Sequence, residues 1–337
     1  MGAEMDITLL REAAEAEIKD GLVACQLAVA CDGEVVWTQA FGAAEIETRF
    51  AVASATKPIV ASAIWLLMGD GLLDISKPVV DYIPEFGDNG KEAVTVEQVL
   101  VMTAGFPRAR MDSADGADPV ARPKRLAEWK LEYEPGTKYV YHAGSAHLVL
   151  AELIERLGGM DFRDFIEQRV TRPLGLPRLL GIPRDQQGDI AQLESAEARK
   201  APFDIGAMFE AGSPGGGGVM TAATLALFYQ ALLHNPGELW KPDVLADGVG
   251  NVRHTLPDPM MGQPANRTTG VVIGKGFGTT WGSSPTAYGW PGFGGQIGFA
   301  EPATGISFAF LQTGDRDLMS PFVRGAKMSE LALALRR

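Results

Sequence analysis

Residues 58–70 (Pro-Ile-Val-Ala-Ser-Ala-Ile-Trp-Leu-Leu-Met-Gly-Asp) are apolar on nearly every side. A helix with one apolar stripe can lie on a surface, but one that is apolar almost all round must be enclosed on most of its faces. The run is too short to span a bilayer, which takes about 20 residues. The chain therefore has to assemble around this segment.

What can enclose it follows from the placement of the other patterns. Strand-like runs at Gln26–Cys31 and Glu34–Phe41 flank Asp32-Gly33, a hairpin signal, and a short run at Phe50–Val52 follows. Strand signals return only near the other end, at Thr286–Trp290, Ile297–Glu301 and Ile306–Gln312. Helical periodicity marks 6–19, Val96–Met102, 144–157, 161–170, Ala222–Leu233 and Met319–Arg336. Residues 108–125 are polar and read as a long loop, 171–218 are rich in Pro and Gly, and 241–286 read as irregular. Strands grouped at the two ends, without strand–helix alternation, predict an α+β fold. Its antiparallel sheet is built from both chain ends and flanked by helices, with a mainly helical lobe inserted between them. One domain is expected over 1–337, with an α/β lobe at 1–75 and 260–337 and a helical lobe at 76–259. A length of 337 residues, 46% of them hydrophobic, suits a core of that size.

Charge narrows the partners. A formal net charge of -12 repels nucleic acid and anionic membranes, so neither is expected. The first residues, Met-Gly-Ala-Glu-Met-Asp, carry no basic stretch followed by a long apolar one, which predicts a cytoplasmic protein. Cys25 and Cys31 share one predicted strand. At ~3.3 Å per residue they lie roughly 20 Å apart, too far for a bridge that needs Cα atoms within about 7 Å. Buried, unbridged cysteines are the expectation.

Immediately before the apolar helix stands Ser54-Ala-Thr-Lys57. A serine and a lysine three residues apart share one helix face. Alone the pattern is common, and its plain reading is a helix-capping serine and a solvated lysine. The apolar run changes that reading, because a lysine at the mouth of a buried helix is desolvated, and desolvation favours the neutral amine. A neutral amine beside a serine hydroxyl is a general base. Two further segments can complete such a site. In Pro135-Gly-Thr-Lys-Tyr-Val-Tyr141-His142-Ala143, Tyr141 precedes a helix, and its phenol can relay the serine's proton to a leaving group. In Trp290-Pro-Gly292-Phe293, Gly292 permits close approach of a ligand. The amide of Phe293 can pair with that of Ser54 as an oxyanion hole.

These segments resemble those of the serine β-lactamase-like hydrolases, which include class C β-lactamases, penicillin-binding proteins and family VIII carboxylesterases. The resemblance rests on Phe50-Ala-Val-Ala-Ser54-Ala-Thr-Lys57, Val101-Met-Thr-Ala-Gly-Phe-Pro107, the segment ending at Tyr141, Pro214-Gly-Gly-Gly-Gly-Val-Met-Thr221 and Gly294-Gly-Gln-Ile-Gly-Phe-Ala-Glu-Pro302, in family order. It implies that Ser54 is acylated and that Lys57 and Tyr141 move its proton. Two departures matter. β-Lactamases of this type usually have Asn where Ala143 stands and Lys where Trp290 stands, and both side chains hold polar parts of an anionic amide substrate. Their loss turns the expectation toward esters. Trp290 is expected to offer a flat apolar wall to an acyl or alcohol group, and His142 to line the pocket. This pattern is similar to that of family VIII carboxylesterases.

The expected activity is hydrolysis of small-molecule carboxylic esters, with short acyl chains, through an acyl-enzyme on Ser54. The alternatives are amide chemistry (a β-lactamase, D-aminopeptidase or amidase), acyl transfer to a small acceptor, and a silent binding protein on the same scaffold. No cofactor is expected. His142, His147, His234 and His254 have no metal-ligand spacing, and Gly215–Gly218 lacks the Lys-Ser/Thr of a phosphate-binding loop. Met260, Met261 and Trp281 read as packing.

Overall fold

The computed structural model describes residues 5–191, 204–259, 262–274, 283–314, 317 and 319–335. Met260, Met261 and Trp281 lie outside them. Among the described residues there are eight strands: β1 (Ala24–Cys31), β2 (Glu34–Gly42), β3 (Phe50–Ala51), β4 (Val219–Met220), β5 (Val272–Ile273), β6 (Tyr288–Gly292), β7 (Gln296–Glu301) and β8 (Ile306–Thr313). Six of them form one antiparallel sheet in the order β2-β1-β8-β7-β6-β5. The join between the chain ends is the β1–β8 ladder, which runs from Ala24 opposite Thr313 to Cys31 opposite Ile306. The α+β architecture with a sheet drawn from both ends is therefore as the strand signals predict.

Both faces of the central strands are covered, which is why β1, β7 and β8 are buried at every position. On one face the terminal helices Thr8–Lys19 and Ser320–Leu333 close over Leu27, Val29, Phe299, Phe308 and Phe310. On the other lies the helix Ala222–His234. Its Gln230 is buried and ties three strands' ends together: Nε2 donates to the Ala30 carbonyl at 2.9 Å and to Ser307 Oγ at 3.1 Å, while Oε1 accepts from the Gly33 amide at 2.9 Å. Gly298 in β7 makes this approach possible, since a Cβ there would stand 2.6 Å from Tyr229 Cε2 and 2.8 Å from Leu225 Cγ.

The apolar run forms the helix Lys57–Gly69, in which every residue but Met68 is buried. It packs against the helices Ser145–Gly158 and Pro242–Gly250. Beyond Lys57, its buried polar side chains are satisfied, with Ser62 Oγ donating to the Ile59 carbonyl at 2.7 Å, and distant segments tie on to it. The Ser62 carbonyl accepts from Trp240 Nε1 at 2.9 Å, and Trp65 Nε1 donates to Thr269 Oγ1 at 3.1 Å.

Several expectations need correction. Residues 108–125 are not one loop, because helices form at Ser113–Ala117 and Ala121–Glu128. The second buries Leu126 in the main core, and is anchored by charge as well. Arg122, fully buried, pairs with Glu152 at 2.8 Å and with Glu155, and also donates to the Gly116 carbonyl at 2.9 Å. Residues 241–286 hold the helix Pro242–Gly250, which begins on its proline, and β5. The helix expected over 161–170 divides into Phe162–Ile166 and a wider turn at Glu167–Thr171. The run leading to Ser54 pairs outside the main sheet, β3 with β4. Cys25 and Cys31 are buried, and neither is in a disulfide. No helix among the described residues is long and apolar enough to cross a membrane.

Replacing Gly298 with Ala should lower stability by ~1–3 kcal/mol, the range for forcing a methyl into a filled core. Thermal or urea unfolding reads this, and an unchanged midpoint would mean that the sheet and the helix Ala222–His234 do not meet this closely.

Candidate active site

Ser54 sits in a short 3-10 turn, Ala53–Thr56, which runs directly into the helix Lys57–Gly69. Ala53 has a positive φ of 47°, unusual for a residue with a side chain. The turn is tied down by Thr56, whose hydroxyl donates to the Ala53 carbonyl at 2.6 Å and accepts from the Gly218 amide at 2.9 Å. The Val52 amide in turn donates to the Gly218 carbonyl at 2.9 Å. The serine's position is thus set by the glycine-rich segment as much as by its own helix.

Lys57 is fully buried, and its amine has three neighbours. Nζ lies 3.1 Å from Ser54 Oγ, donates to the Ala143 carbonyl at 2.8 Å and reaches the Gly215 carbonyl. A neutral amine has two hydrogens and one lone pair, so donating to two carbonyls leaves the lone pair for the Ser54 hydroxyl. Burial lowers the lysine's pKa from its ordinary value; the negative charge that Tyr141 can carry works against this, and the Arg267 charge adds to it. Tyr141 Oη stands 2.7 Å from Ser54 Oγ. Burial acts to raise its pKa, but the Lys57 charge and the contact with Ser54 prevail and hold it below the ordinary tyrosine value. Both partners of the serine hydroxyl are therefore biased toward losing a proton.

A cavity of about 430 Å³ opens on this cluster, lined by Tyr141, Ala143, Gly144, Leu148, Met111 and Pro214 among others. A smaller one of about 70 Å³ lies beside Ala53, Gly216 and Phe293.

The three residues expected to exchange the proton, Ser54, Lys57 and Tyr141, are thus together. The other expected site residues differ in their placement. Phe293 directly follows β6, and its ring is 54% exposed at the edge of the smaller cavity. Gly292, expected to admit a ligand, admits the protein's own backbone, since a Cβ there would stand 2.2 Å from the Val52 carbonyl oxygen. It lets β6 dock on the Ser54 turn. His142 does not line the pocket. It is fully buried, donates from Nδ1 to the Val140 carbonyl at 2.6 Å and accepts at Nε2 from the Phe106 amide at 3.2 Å. Burial pushes its pKa down to about 4, so it stays neutral. Trp290 is 1% exposed and gives no open wall; its ring lies behind Tyr141, with centroids 6.4 Å apart.

Sequence reasoning missed the partners of Lys57, which are the backbone carbonyls of Ala143 and Gly215. The available signal was the glycine run. A Cβ at Gly215 would lie 3.0 Å from the Ala143 oxygen and 3.6 Å from Lys57 Nζ, so the loop can descend on the amine only without side chains. Among the described residues no group of His, Cys, Asp and Glu has the arrangement of a metal site.

Known proteins similar to this chain can now be set beside it. The chain is 30% identical to the esterase/β-lactamase LipL of Mycobacterium tuberculosis over 313 residues, 81% of this chain and 70% of that protein. It is 29% identical to the esterase EstB of Burkholderia gladioli over 274 residues, 67% of this chain and 69% of that one. A crystal structure of a family VIII carboxylesterase superposes with a TM-score of 0.84 at 26% identity, covering 98% of this chain and 97% of that one. The Beta-lactamase family model matches residues 10–332, nearly the whole length. By that match, the chain belongs to the Beta-lactamase family.

Proposed function

We propose that the protein is a serine carboxylesterase that works through an acyl-enzyme on Ser54. The observation that carries this reading is the placement of Ser54 Oγ, 3.1 Å from a buried amine and 2.7 Å from the phenol of Tyr141, which itself lines the cavity of about 430 Å³. The ester carbonyl is attacked by Ser54 Oγ while its proton passes to Lys57 or Tyr141. The backbone amides of Ser54 and Phe293 receive the oxyanion. Tyr141 returns the proton to the departing alcohol, and water then releases the acid by the reverse sequence.

Esters are favoured over anionic amides because the cavity wall beside the serine carries the methyl of Ala143, while position 290 contributes no exposed polar group. The names of LipL and EstB, and the description of the superposed crystal structure, agree with an ester substrate. LipL's name also includes β-lactamase, which makes β-lactam turnover the second activity to measure.

Ser54→Ala is expected to abolish hydrolysis of p-nitrophenyl esters and the mass shift given by a serine-directed phosphonate. Retained turnover would sink the assignment. Run side by side, p-nitrophenyl acetate, butyrate and octanoate should be cleaved well above nitrocefin, with rates falling as the acyl chain lengthens; faster nitrocefin turnover would reverse the substrate class.

The proton-transfer pair has its own signature. Lys57→Met and Tyr141→Phe should each lower kcat/KM by about 10²–10⁴-fold, the usual range for losing a general acid–base group. In the unaltered protein a base with a lowered pKa is competent once pH exceeds that value. Activity should therefore fall as pH drops through it and reach its plateau below the ordinary lysine range. A plateau reached only near an ordinary lysine pKa would contradict a desolvated amine.

A further inference from the structure

Residues 253–259 and 262–273 fold back beside the site. The Arg253 amide donates to the Arg267 carbonyl at 2.7 Å, and Arg267 forms bridges with His254 on one side and Val272 on the other. Its backbone is therefore held between two extended segments. Its side chain is 1% exposed, with Cζ 3.7 Å from the Trp290 ring centroid and 6.0 Å from that of Tyr139. Trp290 in turn neighbours Tyr141, with ring centroids 6.4 Å apart, and Tyr141 Oη stands 2.7 Å from Ser54 Oγ.

This burial is unusual. A guanidinium stays protonated at any working pH, and a buried one normally pairs with carboxylates. Arg122 of the same chain does so, with Glu152 and Glu155. Arg267 has an indole face in that role, a cation–π contact. Among the described residues its Nε and Nη1 find no hydrogen-bond acceptor. Asp258, buried on the same returning segment, and Tyr139 bear on this cation, and at short range in an apolar place the guanidinium in turn acts on nearby titrating groups.

We propose that Arg267 is a positioning residue for the proton-transfer pair. Its guanidinium, seated against Trp290, opposes a net positive charge on the Lys57–Tyr141 pair, so that Ser54 is activated near neutral pH. The proposal rests on the catalytic assignment of Ser54, Lys57 and Tyr141 made above.

The charged and titratable groups around the pair are consistent with this. Lys57 faces it from the apolar helix, and Tyr139 and His142 from the segment that carries Tyr141. His147 comes from the helix Ser145–Gly158, and His254, Asp258 and Arg267 from the returning segment. Burial keeps His142 and His147 neutral, and lowers His254 as well. Asp258 is a carboxylate that acts on Arg267 itself. The Arg267 charge lowers the proton affinity of both Lys57 and Tyr141, so removing it should raise both.

The test is kcat/KM for p-nitrophenyl acetate from pH 5 to 10 in the full chain. Arg267→Met is expected to displace the acid limb to higher pH. kcat/KM should fall about tenfold at pH 6 and stay within roughly twofold at the alkaline plateau, as loss of one nearby charge predicts. Arg267→Lys, which keeps the charge, should restore most of the activity at pH 6. An equal loss at every pH, or an unshifted profile, would overturn the proposal and leave Arg267 as packing for Trp290. If Arg267→Met does not fold, Arg267→Gln is read in the same way against Arg267→Lys. Ser54→Ala separates the two layers. If that variant stays active, the catalytic assignment itself fails. If it is inactive while the Arg267→Met profile is unshifted, only the role of Arg267 fails.

Discussion

The structure depends on the burial of one amine. Lys57 begins a helix with almost no solvent-facing side, and an ammonium there has lost its water without gaining a carboxylate. Burial therefore disfavours its charged form. Two backbone carbonyls steady the amine that remains and direct it to Ser54. The rest of the molecule supplies that setting. The helix Ser145–Gly158 packs along the apolar helix, the loop at 214–218 descends on the amine, and β6 docks against the serine's turn. Enclosure of a hydrophobic helix and desolvation of the amine beside Ser54 are thus one event seen at two scales.

The main sheet was legible because its strands are separated from the helices along the chain. Asp32-Gly33 sits between β1 and β2, and the late runs became β6, β7 and β8. The short pair β3–β4 was hidden, since two residues in each strand leave no alternation to read. The helix Ala121–Glu128 was hidden for a different reason. Beside Leu126, its hold on the core is the buried guanidinium of Arg122, and Arg122 looks in sequence like any other residue of a polar loop. Patterns of hydrophobicity cannot report an element that is anchored by paired charge.

The site divides along the same line. Ser54, Lys57 and Tyr141 were legible because the pattern lies in their side chains and their spacing is local or lies beside a turn. His142 and Gly292 were misread because neighbours distant in sequence claim them. The Phe106 amide occupies one histidine nitrogen, and the Val52 carbonyl fills the space that glycine leaves. Trp290 was read as facing outward, yet it is covered by Arg267, a residue outside every motif. Contacts that join segments far apart leave no local trace.

The carbonyls that hold Lys57 have one more consequence. Main-chain oxygens of Ala143 and Gly215 are present whatever the side chain, so point changes that leave the backbone path intact preserve the base's acceptors. Insertions and deletions do not share that immunity, because a change of one residue in either loop would carry a carbonyl away from the amine. Descendants of this scaffold can therefore vary the side chains around the cavity freely while loop length near 143 and 215 stays fixed. Sequence drift can then retune what the enzyme accepts without disturbing how it reacts.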